Sequence, residues 1–291
     1  MNPLEQRAVV TWPLLVAETL ILGTTAFCLL IAPRTDSRDK VPHAFESCWR
    51  SLALLASVFS PLTLLVTTAD MADVSVRAAI PLLPQVVCET HLGHVWSWSF
   101  PVTVALLVAA WLPISAIKRS SLLCFLATLL LLSGSLLSHA IDRGVLAVSI
   151  DFVHQVAAAL WLGAVVGIWF GAVRGGLGAD WVRQAAPRVS RAAGWSVAIL
   201  LLSGLYTAYS ALGPNPSRLI DTAYGRTLLV KLGAATPVLL LGASNRYWLM
   251  ATITRESSQK ALLRNVSVES ALLVLILGLA VLLANTPPAH H

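Results

Sequence analysis

Residues 136–169 read LLSHAIDRGVLAVSIDFVHQVAAALWLGAVVGIW. His139 and Asp142 close one long apolar run, and Asp151 and His154 open the next. Two apolar runs with a short polar break between them read as a hairpin of membrane-spanning helices. Imidazole and carboxylate at the same end of neighbouring spans are costly to hold near hydrocarbon, so they mark a site by default.

The same pattern extends in both directions. With 57% hydrophobic and 12% charged residues and a mean hydropathy of +0.77, the chain has too little polar surface for a soluble globule. Sparsely charged stretches long enough to cross a bilayer, about 20 residues each, fall near 12–32, 48–68, 95–117, 122–139, 152–173, 194–212, 224–250 and 268–284. The expectation is an all-α bundle of eight spans, a single integral-membrane domain over 1–291 with no connection large enough for a soluble domain. The N-terminus lacks a basic region, short apolar core and small-residue cleavage site, so the first span is expected to be retained.

A net charge of +6 raises the question of nucleic acid, but the distribution answers it. Arg34, Arg38, Lys40, Arg50, Lys118, Arg119, Arg174, Arg183, Arg188, Arg191, Arg246, Arg255, Lys260 and Arg264 lie at alternate connections. The other connections carry Asp70, Asp73, Glu89, Asp142, Asp151 and Asp221. This is the positive-inside pattern; it orients the chain with both termini outward, and the basic residues face lipid headgroups and cytoplasm rather than nucleic acid.

The connection 69–94 is the longest on the outer side, and its apolar run 78–87 is expected to form a short helix on or in the membrane. It ends in Glu89-Thr90-His91-Leu92-Gly93-His94, and Asp221-Thr222-Ala223-Tyr224-Gly225-Arg226 precedes the seventh span. Each reads acid, Thr, two residues, Gly, base, and the third and seventh spans are equivalent in a weak 4+4 repeat. Gly163, Gly167 and Gly171 recur every four residues and let another helix approach. Pro61, Pro101, Pro113 and Pro237 are expected to kink spans or mark their ends.

His91, His94, His139 and His154 all fall at the outer side; His290 and His291 close the chain there as well. At helical spacing His139 shares a face with Ser135 and Asp142, while Asp151, His154, Ala158 and Trp161 stripe another. Neutral imidazole binds copper, zinc or haem iron, and a carboxylate can orient its second nitrogen. Met71 and Cys88 add soft sulfur, which favours copper over hard cations. The candidate ligands are therefore His139, His154, His91, His94, Met71 and Cys88, with Asp142 and Asp151 behind them. Cys28, Cys48 and Cys124 fall towards the inner side, with no spacing that implies disulfides. Glu18 and Lys231 enter from the same side to similar depth, and an ion pair between them is the default reading.

Several segments together resemble a known family: Ser138-His139-Ala140, Asp151-Phe152-Val153-His154 on through Ala157-Ala158-Ala159-Leu160-Trp161-Leu162-Gly163, Asp221 to Arg226 with Lys231, Gly242-Ala243-Ser244-Asn245-Arg246, and Asn285-Thr286-Pro287-Pro288-Ala289. In this order, across eight spans, they are similar to the CopD family of copper-resistance membrane proteins, best over 130–289. The resemblance implies a bacterial inner-membrane protein that handles copper, thought to move it inward, often beside a periplasmic copper-binding partner of the CopC type. By position it implies His139 and His154 as the leading ligands; the family often has Gly where this chain has Ser138.

The leading expectation is a copper transporter rather than an enzyme, passive or gradient-driven because no phosphate-binding loop is present. Two alternatives use the same residues: a haem b electron-transfer protein with paired axial histidines, and a membrane assembly or scaffold factor whose polar end docks a partner.

Overall fold

The computed structural model describes residues 3–33 and 40–286. Arg34, Arg38, Pro287, Pro288, Ala289, His290 and His291 lie outside the described residues. Among the described residues there is no strand, and eight helices are long and apolar enough to cross a membrane. They are α1 (Pro3–Ala26, continued by a π-turn Phe27–Ile31), α2 (Lys40–Met71), α3 (His91–Trp111), α4 (Ala116–Leu136), α5 (Val145–Val173), α6 (Ala179–Leu212), α7 (Ala223–Ser244, continued by a π-turn Asn245–Leu249) and α8 (Glu256–Ala284).

Most helices outrun their apolar cores. Hydropathy detects only the hydrocarbon-matched middle of a span, whereas α6 continues towards its N-terminus through Arg183, Arg188 and Arg191, and α8 through Arg264. At the other end α4 stops earlier than expected, at Leu136. Ser138 Oγ donates to the Ser135 carbonyl and accepts from Ala140 N–H, a local turn that competes with the helix. His139 and Asp142 therefore lie in the connection, off the helical face they were expected to share with Ser135. Gly144, at φ 91°, closes that connection in a backbone region that favours glycine.

Helix α1 is the hub, packed against α2, α4, α5 and α8. The glycine stripe of α5 makes this possible. A Cβ on Gly163 would fall 2.0 Å from Gly23 backbone, one on Gly23 2.0 Å from the Ala159 carbonyl, and one on Gly167 inside the Phe27 ring. Gly171 receives Trp181 of α6 in the same way. Pro61, Pro101 and Pro237 lie inside helices, whereas Pro113 separates α3 from α4.

Connections 72–90, 137–144 and 213–222 gather at one end, called here the histidine end. The run 78–87 is helical, in Val76–Ala79, a 3-10 turn Ile80–Leu82, and Leu83–Glu89. The opposite, basic end is tied by ion pairs. Glu46 holds Arg119 at 2.5 Å, His43 at 2.8 Å and Arg50 at 3.5 Å, and Arg119 also donates to the Leu112 and Ile114 carbonyls after α3. Guanidinium groups on open helix-terminal carbonyls satisfy acceptors that the helix itself cannot. Helix α7 is peripheral: it packs along α8, and its sparse contact with α6 leaves a cavity of about 650 Å³ between them.

Candidate functional site

The polar residues at the histidine end divide into a rim and an interior group. At the rim, Thr90 caps α3 by accepting from Gly93 N–H at 3.0 Å. His91, in the first turn, donates from Nε2 to the Leu136 carbonyl at 2.9 Å, which brings it to the C-terminus of α4, three residues before His139. His94 donates from Nε2 to the Cys88 carbonyl at 3.0 Å. In both rings the carbonyl fixes the proton on Nε2 and leaves the Nδ1 lone pair open. His139, Asp142, Met71 and Cys88 are exposed.

Deeper, α5 carries two adjacent residues that serve different neighbours. Gln155 donates to Ser135 Oγ of α4 and to Asp151 Oδ2, both at 2.8 Å. His154 turns instead to α6, with Nδ1 2.8 Å from Ser203 Oγ. Ser203 has one hydroxyl proton, directed at the Ile199 carbonyl at 2.6 Å. The oxygen must therefore accept from His154, so Nδ1 carries the ring proton and Nε2 keeps its lone pair. A hydroxyl orienting one nitrogen while the other stays free is the arrangement a metal-binding imidazole needs.

His154 lies nine residues into α5, about 14 Å along its axis at the helical rise, level with Ser135, whereas His139 sits in the turn above. The expected facing pair at one depth is not what the fold produces. Among the described residues no three His, Cys, Asp or Glu side chains stand close enough to hold a metal together. Opposed axial imidazoles, as a b-type haem requires, are likewise not offered by His139 and His154.

The Glu18–Lys231 ion pair is also corrected. No ion pair joins them; Lys231, two turns into α7, lies in electrostatic range of Asp151 and His154. Glu18 is buried in α1. Equal depth suggested the pair, but α7 lies outside the ring of helices around α1.

A second polar group went unrecognised in the sequence. Glu269 of α8, 2% exposed, accepts from Trp161 Nε1 at 2.8 Å and Asn245 Nδ2 at 3.2 Å. Asn265 donates to Asn245 Oδ1 at 2.9 Å and so fixes which way that amide points. The expected eighth span, 268–284, put Glu269 at its very end, where a carboxylate is ordinary; the helix begins at Glu256, which places it well inside.

Fold and site together define a multi-pass helical membrane protein with a histidine-bearing polar end. Two family models match it, "Copper resistance protein D-like, N-terminal domain" over residues 6–148 and "Copper resistance protein D" over 183–283. The chain belongs to the copper resistance protein D (CopD) family. Copper resistance protein D of Pseudomonas syringae pv. tomato is 23% identical over 92% of each chain. Copper transport protein CutJ of Bacillus subtilis is 26% identical over 68% of this chain and 37% of its own. Inner membrane protein YebZ of Escherichia coli is 25% identical over 62% of this chain and 63% of its own. The chain thus spans less than two thirds of those last two relatives. None of the three names is an enzyme's. No solved structure matches.

Proposed function

We propose that this chain carries copper across the bacterial inner membrane, with the histidine end facing the periplasm and the basic end the cytoplasm. The charge asymmetry supports that orientation, and the names of two relatives support copper as cargo. The rim histidines His139 and His91 collect the ion, with Met71 and Cys88 as neighbouring donors and Asp142 beside them, while His94 anchors the turn through the Cys88 carbonyl. His154 receives it within the bundle, with Asp151 and Lys231 setting the local field. A periplasmic protein of the CopC type would deliver copper to the rim. The 4+4 repeat remains part of this reading, resting on the two like openings of α3 and α7.

One observation carries the reading: the Ser203 bond leaves His154 Nε2 as an unprotonated donor inside a membrane span. Imidazole suits copper, and the cost of a polar ring at this depth favours a role. His154→Ala is expected to abolish copper uptake into proteoliposomes, while Ser203→Ala, which removes only the orienting hydroxyl, weakens copper binding about 10- to 100-fold. Unchanged uptake by a folded His154→Ala protein would refute the assignment.

A further inference from the structure

Two carboxylates near the basic end are built differently. Glu46 is held by two guanidinium groups, Arg119 and Arg50, with the His43 ring in hydrogen-bond contact. Glu269 is almost wholly buried and receives only neutral donors, the Trp161 indole and the Asn245 amide. Among the described residues no Lys, Arg or His forms an ion pair with it. An isolated carboxylate at such a position is stable only when it takes up a positive charge or sheds its own.

Glu269 also lies on the wall of the cavity between α6 and α7. The charged and titratable groups on the surrounding walls are Arg191 of α6 and Arg246 and Tyr247 of the π-turn after α7. Arg246 is committed to Ser190, donating to its carbonyl at 3.1 Å. From α5 come Trp161, Val165 and Ile168, none of them charged, and α1, which packs on α8 with Trp12 against Val274 and Gly278, carries the buried carboxylate Glu18 but no buried cation. The charge for Glu269 must therefore come through the cavity. The walls offer copper one sulfur, Met250, and neither imidazole nor thiolate, a poor donor set for a soft cation. A proton needs only the carboxylate and a wet path to it.

We propose that Glu269 is a proton-exchange site opening on the basic-end cavity, and that it loads or releases a proton as cargo moves through the bundle. The coupling half rests on the transport reading above; the site itself does not. Trp161 lies two turns along α5 from His154, so one helix links the two polar groups. Glu18 is buried as well, but it is not among the cavity walls.

The test uses the full chain reconstituted in lipid. Infrared difference spectra between high and low pH are expected to show the carbonyl stretch of a protonated carboxyl that titrates. Glu269→Gln removes this band and Glu18→Gln leaves it. Trp161→Phe, which keeps the carboxyl and deletes one donor, moves the band to higher frequency; this variant serves if Glu269→Gln does not fold. A band unchanged in both Glu269→Gln and Trp161→Phe overturns the site. In vesicles containing a pH indicator, wild-type copper uptake is accompanied by proton movement, and Glu269→Gln reduces that movement to the protein-free level. Equal proton movement in the variant overturns the coupling. If wild-type vesicles take up no copper, the transport reading falls alone, and the infrared titration still decides the proton site.

Discussion

Helices α3 and α7 open on hooks of the same build. Thr90 (φ −111°, ψ 155°) and Thr222 (φ −102°, ψ 153°) each precede the first helical residue and accept from the N–H three residues on at 3.0 Å. Each also donates to the carbonyl four residues back, Val86 at 2.7 Å and Arg218 at 2.6 Å. The final base reaches the carbonyl six residues earlier in both, His94 to Cys88 and Arg226 to Ile220 at 3.4 Å. The hooks differ where His91 stands against Ala223. An alanine completes the second hook, so the His91 ring is surplus to the first. It reaches across to the Leu136 carbonyl at the end of α4 instead. Two histidines three residues apart thus have different reasons to be there.

The largest expected effect tests whether the hooks are equivalent. A Cβ on Gly93 would lie 2.1 Å from the Val86 carbonyl oxygen, and one on Gly225 2.3 Å from that of Arg218. Backbone cannot yield as a flexible side chain does, so Gly93→Ala and Gly225→Ala should each destabilise by about 3 kcal/mol. Thermal unfolding in detergent measures this. A neutral result at one site alone would break the comparison.

The next effect separates ligand from anchor. His91→Ala makes the first hook resemble the second and should cost only about 1 kcal/mol of stability through the lost bond to the Leu136 carbonyl, while copper affinity falls at least about tenfold, the lower range for losing a metal-site residue. Competition titration against a chelator of known affinity reads it. Full affinity in the variant would leave His139 without its proposed rim companion.

These contrasts also show what was legible in the sequence. Eight spans, their order and the residue types gathered at one end followed from hydropathy and charge alone. Local geometry was partly legible: the Thr and Gly of each hook were visible, and their caps are those such residues make. The helix ends were not. Periodicity carried α4 on to His139, whereas the Ser138 turn and Gly144 end it earlier. Partners set by packing were out of reach, since no spacing says that Gln155 meets α4 while its neighbour His154 meets α6. Glu18 and Lys231 failed as a pair for the same reason: depth was readable, adjacency was not.

The smallest expected effect is the most discriminating. If His94 is the anchor that Arg226 is in the other hook, His94→Arg supplies a donor for the Cys88 carbonyl and removes an imidazole. Both stability and copper affinity should then stay within experimental error, because the new guanidinium at the rim is exposed and such surface changes are worth only about 0.5 kcal/mol. His94→Ala, by contrast, should cost about 1 kcal/mol of stability through the lost bond, again without loss of copper. A fall in affinity in both variants with stability intact would place His94 among the ligands. The likeness of the two hooks would then extend to their backbone and not to the work of their side chains.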